Sequence, residues 1–151
     1  MKTIRFGIIG AGLMGREFAS AASRWGHLLD LEGKPEIVSV CDMNPAILPW
    51  YTSNIPSVRQ VTQNYKELLA NRDVDAVYVA IPHNLHREVY IAVLDAGKHL
   101  MGEKPFGIDK AACDAIVACI ARHPNQLVRC SSESVFFPAM QRSAPNTDRT
   151  P

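Results

Sequence analysis

The chain has 151 residues, 47% of them hydrophobic, with 16 Lys and Arg against 15 Asp and Glu and a formal net charge of +1. This length predicts one packed core, and a near-neutral balance with no basic cluster longer than a pair gives no support to a nucleic-acid or membrane partner. The opening MKTIRFGIIGAG is interrupted by Arg5 and by glycines, so it reads as neither signal peptide nor membrane span, and a cytoplasmic location is expected.

Thr3 to Ile9 reads as the first strand, and Met14, Phe18, Ala21, Ala22 and Trp25 follow at helical spacing up to a stop at Gly26. Glu36 to Cys41 is the second strand. A weaker helix over Pro45 to Tyr51 is disturbed by Pro49. Arg59 to Thr62 is a short third strand, and Asn64 is placed to cap a helix from Tyr65 to Ala70. Ala76 to Ile81 is an unbroken apolar run, the pattern of a parallel strand covered on both faces. In the next helix Asn84 is the expected cap, Leu85, Val89, Ala92, Val93 and Ala96 the buried stripe, and Gly97 the end. His99 to Gly102 is the fifth strand. Asp109 to His123 is a helix with Ala112, Cys113, Ile116, Val117 and Ile120 inward, and Leu127 to Ser131 is the sixth strand.

Strand and helix alternate almost throughout, which predicts an α/β fold: a Rossmann-type doubly wound parallel sheet with helices on both faces. Ligands of such sheets bind at the carboxyl ends of the strands. The final QRSAPNTDRTP is polar and reads as a disordered tail. Cys41, Cys113, Cys119 and Cys130 form no C-x-x-C pair and no metal-ligand spacing, and they are expected as reduced, buried thiols.

Gly10-Ala11-Gly12-Leu13-Met14-Gly15 is a G-x-G-x-x-G between strand and helix. The first glycine permits a tight turn, the second the approach of a pyrophosphate, and the third close helix packing. Dinucleotide binding is the expectation; a purely structural turn, or another nucleotide-like ligand such as S-adenosylmethionine, is the alternative. Asp42, at the end of the second strand, is a carboxylate able to accept both ribose hydroxyls of adenosine and to repel a 2′-phosphate, which favours NAD over NADP. It lies 32 residues after Gly10 rather than about 20, a difference assigned to the insertion HLLDLEGKPE. The competing reading has Asp42 capping the following helix. His83 and His86, three apart, lack a ligand-spaced Cys or carboxylate, so no metal is expected. His86 either faces the cleft or is a satisfied histidine near a helix terminus.

The segments GIIGAGLMG, VCD, DVDAVYVAIPHNLH and AGKHLMGEKP together resemble the amino-terminal half of the Gfo/Idh/MocA oxidoreductases, over nearly the whole chain. The resemblance implies an NAD-dependent enzyme moving hydride between nicotinamide and a hydroxyl-bearing carbon of a sugar, cyclitol or related polyol. It places Ile81, Pro82 and His86, with the glycine turn, Asp42, Glu103 and Lys104, around the cofactor. In such enzymes the lysine matching Lys104 contacts the substrate hydroxyl and the nicotinamide ribose and assists proton removal, Glu103 orients it, and the resemblance makes a cis bond to Pro105 plausible, while the sequence itself leaves cis and trans open. This chain departs from the family in His83, where Asn is common, and in Ile81, where Thr is common. Members continue into a second α/β domain that carries most substrate contacts and on which any homo-oligomer depends. The expected division is therefore an NAD-binding domain over residues 1–131 and the truncated start of the substrate domain over residues 132–151. The alternative is a stand-alone NAD-binding module that senses redox state or joins a partner through Val135, Phe136, Phe137 and Met140.

Overall fold

The computed structural model describes residues 1–132 and 137–138. Val135, Phe136, Met140 and the polar tail lie outside the described residues, and Phe137 is exposed. Among the described residues six parallel strands form one sheet: β1 (Lys2–Ile9), β2 (Gly33–Cys41), β3 (Gln60–Thr62), β4 (Ala76–Val79), β5 (His99–Glu103) and β6 (Val128–Ser131), in the order β3-β2-β1-β4-β5-β6. The helices are α1 (Leu13–Ala22), α2 (Leu48–Asn54), α3 (Tyr65–Ala70), α4 (His86–Asp95) and α5 (Lys110–Arg122). The strand order reverses beside β1, between β1 and β4, where a doubly wound sheet opens its crevice.

Adjacent strand residues point to opposite faces and so feed two cores. Ile9, Val38, Val77 and Val79 pack with Leu68 of α3, Val89 and Val93 of α4 and Ile116 of α5. Ile8, Ile37, Val40 and Tyr78 pack with Ala19 and Ala22 of α1 and Leu48 and Tyr51 of α2. All four residues of β4 are buried, as the unbroken apolar run requires of a central parallel strand.

Several local expectations are corrected. α1 ends at Ala22 with Ser23 as its cap, and a separate 3-10 turn carries Trp25–His27. Its fully buried residues are Gly15, Ala19 and Ala22; Phe18 faces inward as expected, stacked on Tyr78 of β4 with centroids 4.2 Å apart, whereas Met14 is exposed. Pro49 does not disturb α2 but occupies its first turn, where a missing N–H costs nothing. Asn64 caps α3, its side chain accepting from Lys66 N at 3.1 Å. Asn84 caps nothing: it lies inside a 3-10 turn, His83–Leu85, and α4 starts at His86 without a side-chain cap. The inward face of α4 is His86, Val89, Tyr90, Val93 and Leu94, rotated from the expected stripe, with Leu85 exposed. On α5, Cys119 is buried where Val117 was expected, and Val117 is exposed. All four cysteines are free; Cys41 and Cys119 are buried, Cys113 and Cys130 only half-buried. No described helix is long and apolar enough to cross a membrane.

Candidate functional site

The register lines up Ile9 with Cys41 and with Val79, and Val79 with Gly102. The residues that follow, Gly10, Asp42, Ala80 and Glu103-Lys104, therefore emerge side by side at the carboxyl edge of the sheet.

The glycine turn is shaped by what its members lack. Gly10 has φ +96°, and a Cβ there would lie 2.1 Å from the Ala80 carbonyl oxygen, so both backbone angle and space demand glycine. At Gly15 a Cβ would meet the Gly10 carbonyl oxygen at 2.3 Å and the Tyr51 hydroxyl at 2.8 Å. Gly12 differs: a Cβ there would meet nothing within 4 Å. Gly12 is the N-cap residue of α1, which has no side-chain cap, so the first-turn amides at Leu13 and Met14 have no intrahelical partner. Open space at Gly12 beside first-turn N–H groups without intrahelical partners suits a diphosphate.

Two side chains brace this turn. The buried Tyr51 hydroxyl donates to the Ala11 carbonyl at 3.2 Å; burial pushes its phenol pKa well up, so it remains a donor. Asp42, half-buried, accepts from Ala11 N at 2.7 Å through Oδ2 and from Asn44 N at 2.8 Å through Oδ1. A carboxylate has about four lone-pair sites, which leaves capacity for two ribose hydroxyls. The helix-cap reading of Asp42 gives way, because Asn44 holds that place, accepting from Ala46 N at 3.0 Å. Tyr51 was missed in the sequence; nothing in its neighbourhood marks a tyrosine that reaches back forty residues.

The other half of the site is set by buried polar side chains. Glu103 is buried, its Oε1 accepting from the Tyr78 hydroxyl at 2.7 Å and its Oε2 from the Lys104 amide at 3.2 Å. His86 is fully buried and does not face the cleft. Its Nδ1 lies 2.8 Å from the Pro105 carbonyl oxygen and its Nε2 3.0 Å from that of Ile81, so it ties the segment after β4 to the segment after β5. The Tyr90 ring stacks on His86 with centroids 4.7 Å apart, and its hydroxyl donates to the Glu103 carbonyl at 2.8 Å. That ring lies against β5 where Gly102 has no side chain; a Cβ there would sit 2.5 Å from it. Burial raises the Tyr90 and Tyr78 phenol pKa values strongly, so both stay protonated donors. The Lys104–Pro105 bond is cis.

Lys104 itself is exposed, on a cleft of about 250 Å³ lined by Met14, Met101, Glu103, Lys104, Cys130 and Ser131. Met14 brings the start of α1 to the same cleft. A larger apolar concavity, about 710 Å³, opens on the amino-terminal halves of β1, β4, β5 and β6, away from the glycine turn. Ile81 contributes its carbonyl to His86, while Pro82 and His83 are exposed at the start of α4. The His83 and His86 rings meet edge to face at 5.3 Å, and each nitrogen of the buried His86 faces a backbone carbonyl, of which a neutral ring donates to one.

A family model described as "Oxidoreductase family, NAD-binding Rossmann fold", that of Gfo/Idh/MocA, matches residues 4–130. The chain belongs to this family. Within it, the inositol 2-dehydrogenase/D-chiro-inositol 3-dehydrogenase of Shouchella clausii is 32% identical over 130 residues, 84% of this chain and 35% of that enzyme. The trans-1,2-dihydrobenzene-1,2-diol dehydrogenase of Mus musculus is 32% identical over 138 residues, 91% of this chain and 39% of its own length. The crystal structure of scyllo-inositol dehydrogenase from Lactobacillus casei with bound NAD(H) and scyllo-inositol superposes with a TM-score of 0.77 at 28% identity, covering 89% of this chain and 39% of that one. This Gfo/Idh/MocA chain thus spans between a third and two fifths of these relatives.

Proposed function

We propose that residues 1–131 are the cofactor half of an NAD-dependent oxidoreductase acting on a hydroxyl-bearing carbon of a sugar, cyclitol or related polyol. The observation that carries this reading is the convergence at one sheet edge of an open glycine turn, a carboxylate after β2 and a lysine after β5. The bound nicotinamide supplies the hydride acceptor or donor. The amides of Leu13 and Met14 hold the diphosphate, and the free lone pairs of Asp42 accept the adenosine ribose hydroxyls while opposing a 2′-phosphate. Ile81 and Pro82 border the nicotinamide side. Lys104 Nζ takes the proton of the substrate hydroxyl during oxidation and returns it during reduction. Glu103 and His86 are positioning residues, one fixing the amide of Lys104 and the other the carbonyl of Pro105.

The relatives are two to three times as long as this chain, which supports a substrate site whose second wall lies outside residues 1–131. On this reading the 151-residue chain binds NAD and turns over poorly.

Calorimetry on the purified chain tests the cofactor assignment. NAD is expected to bind more tightly than NADP, and Asp42→Ala to weaken NAD by roughly 1.5–3 kcal/mol, the worth of hydrogen bonds to a charged group. Equal affinity for the two cofactors would remove Asp42 from the site. Oxidation of polyols by the chain alone at about 1–1000 per second, the ordinary enzyme range, would overturn the shared-site reading.

A further inference from the structure

We infer that Asp95, Cys119 and His123 form a binding site for one zinc-class divalent cation at the amino-terminal edge of the sheet, opposite the cofactor cleft. Asp95 is the last residue of α4, and His123 directly follows α5. Cys119 stands one turn before His123, at the i, i+4 spacing that puts two side chains on one helix face. Helices of a parallel α/β sheet run antiparallel to its strands, so these carboxyl ends meet far from the glycine turn.

The three donor atoms all lie within 4.8 Å of one another. His123 Nε2 is 2.8 Å from Asp95 Oδ1, and Cys119 Sγ is 3.8 Å from the same oxygen. Tetrahedral zinc holds thiolate at about 2.3 Å and nitrogen or oxygen at about 2.0–2.2 Å, which sets donors roughly 3.2–3.8 Å apart. Closing the three around an ion requires shifts of about 1 Å or less. Thiolate, imidazole and carboxylate together suit zinc rather than calcium or magnesium, which prefer oxygen alone.

Electrostatics favours a cation at the same place. Two helix carboxyl ends converge there, each carrying partial negative charge, and Asp95 adds a full negative charge where a helix end disfavours one. Arg122, close enough to act on Cys119, is turned to the Ala118 carbonyl at 3.3 Å. Access is one-sided. Cys119 is sealed from solvent, whereas the Asp95 side chain is 54% exposed and that of His123 25%, so an ion enters past them and keeps a water as fourth ligand. Coordination forms a sulfur–metal bond as the S–H bond breaks and a nitrogen–metal bond as His123 Nε2 gives up the proton it shares with Asp95, the thiol proton passing to water and the imidazole proton to Nδ1 or water, with no change of oxidation state. The bound ion would clamp α4 to α5. A sequence scan for ligand spacing passes over the site, because Asp95 belongs to a different helix from the Cys-His pair.

Titrating the metal-free 151-residue chain with Co²⁺, a spectroscopic substitute for Zn²⁺, tests the inference. The expected result is a thiolate-to-cobalt charge-transfer band with the visible bands of a four-coordinate ion, saturating at one ion per chain and displaced by Zn²⁺. Cys119→Ser should abolish the charge-transfer band, and Cys113→Ser should keep it. Because Cys119 is buried, the solvent-facing variants Asp95→Asn and His123→Gln serve as a second arm. In each, with circular dichroism unchanged, Co²⁺ affinity should fall on the order of tenfold or more, at least the loss seen for removing an outer-shell partner. Absence of the charge-transfer band, its survival in Cys119→Ser, or unchanged Co²⁺ affinity in the folded Asp95→Asn and His123→Gln proteins would each overturn the site.

Discussion

The two halves of the cleft are built by opposite means. Around Gly10–Gly15 the backbone does the shaping, and the decisive feature is missing Cβ atoms at Gly10 and Gly15 against the Ala80 and Gly10 carbonyls. Around Lys104 the backbone is held by buried polar side chains, with His86 on Ile81 and Pro105, Tyr90 on Glu103, and Tyr78 on the Glu103 carboxylate. The first half should fail when an atom is added, and the second also when the atoms of its buried polar side chains are taken away.

The largest effect is expected at Gly10. Gly10→Ala forces a side chain into a positive-φ position and into the Ala80 carbonyl, and urea unfolding should show a loss of at least about 3 kcal/mol, in the upper range for single substitutions. His86→Ala comes next. It removes the one N–H that a neutral imidazole can give to these two carbonyls and leaves a cavity, for an expected loss of about 2–4 kcal/mol. Amide hydrogen exchange should speed up selectively over residues 103–106 while the glycine turn stays protected; uniform acceleration would show that His86 supports the core rather than this segment. The smallest effect on stability is expected at Gly12. Gly12→Ala projects into open space, so unfolding should change by less than about 1 kcal/mol, yet on the proposed reading NAD affinity measured by calorimetry should fall on the order of tenfold, because the methyl enters the space proposed for the diphosphate. A stability loss at Gly12 matching that at Gly10 would erase the distinction between the members of the turn.

The same contrast explains what the sequence made legible. A motif that works through absent side chains is local, and G-x-G-x-x-G after an apolar strand needs only contiguous residues to be recognised. So do the cap at Asn64 and the apolar run of β4, whose neighbours in the chain carry the whole signal. Buried polar bridges are different. The sequence leaves His86 either facing the cleft or satisfied near a helix terminus, and its partners lie 5 and 19 residues away, while Tyr51 serves Ala11 across 40 residues. The rotated face of α4 has the same origin, since His86 and Tyr90 take inward positions that periodicity assigns to Leu85 and Ala92. Asp42 was found as a charge after a strand, while its second task, accepting the Ala11 amide, depends on the register of β1 with β2.

Gly102 links these observations. Its bare Cα makes the hollow that receives the Tyr90 ring, and the Tyr90 hydroxyl in turn steadies the carbonyl of Glu103. Positions 90 and 102 are therefore not free to vary singly: a methyl added to the strand evicts the phenol, and the disturbance reaches the peptide that presents Lys104. A residue with no side chain, two positions from the lysine and facing away from the cleft, sets the tolerance to which that lysine is aimed.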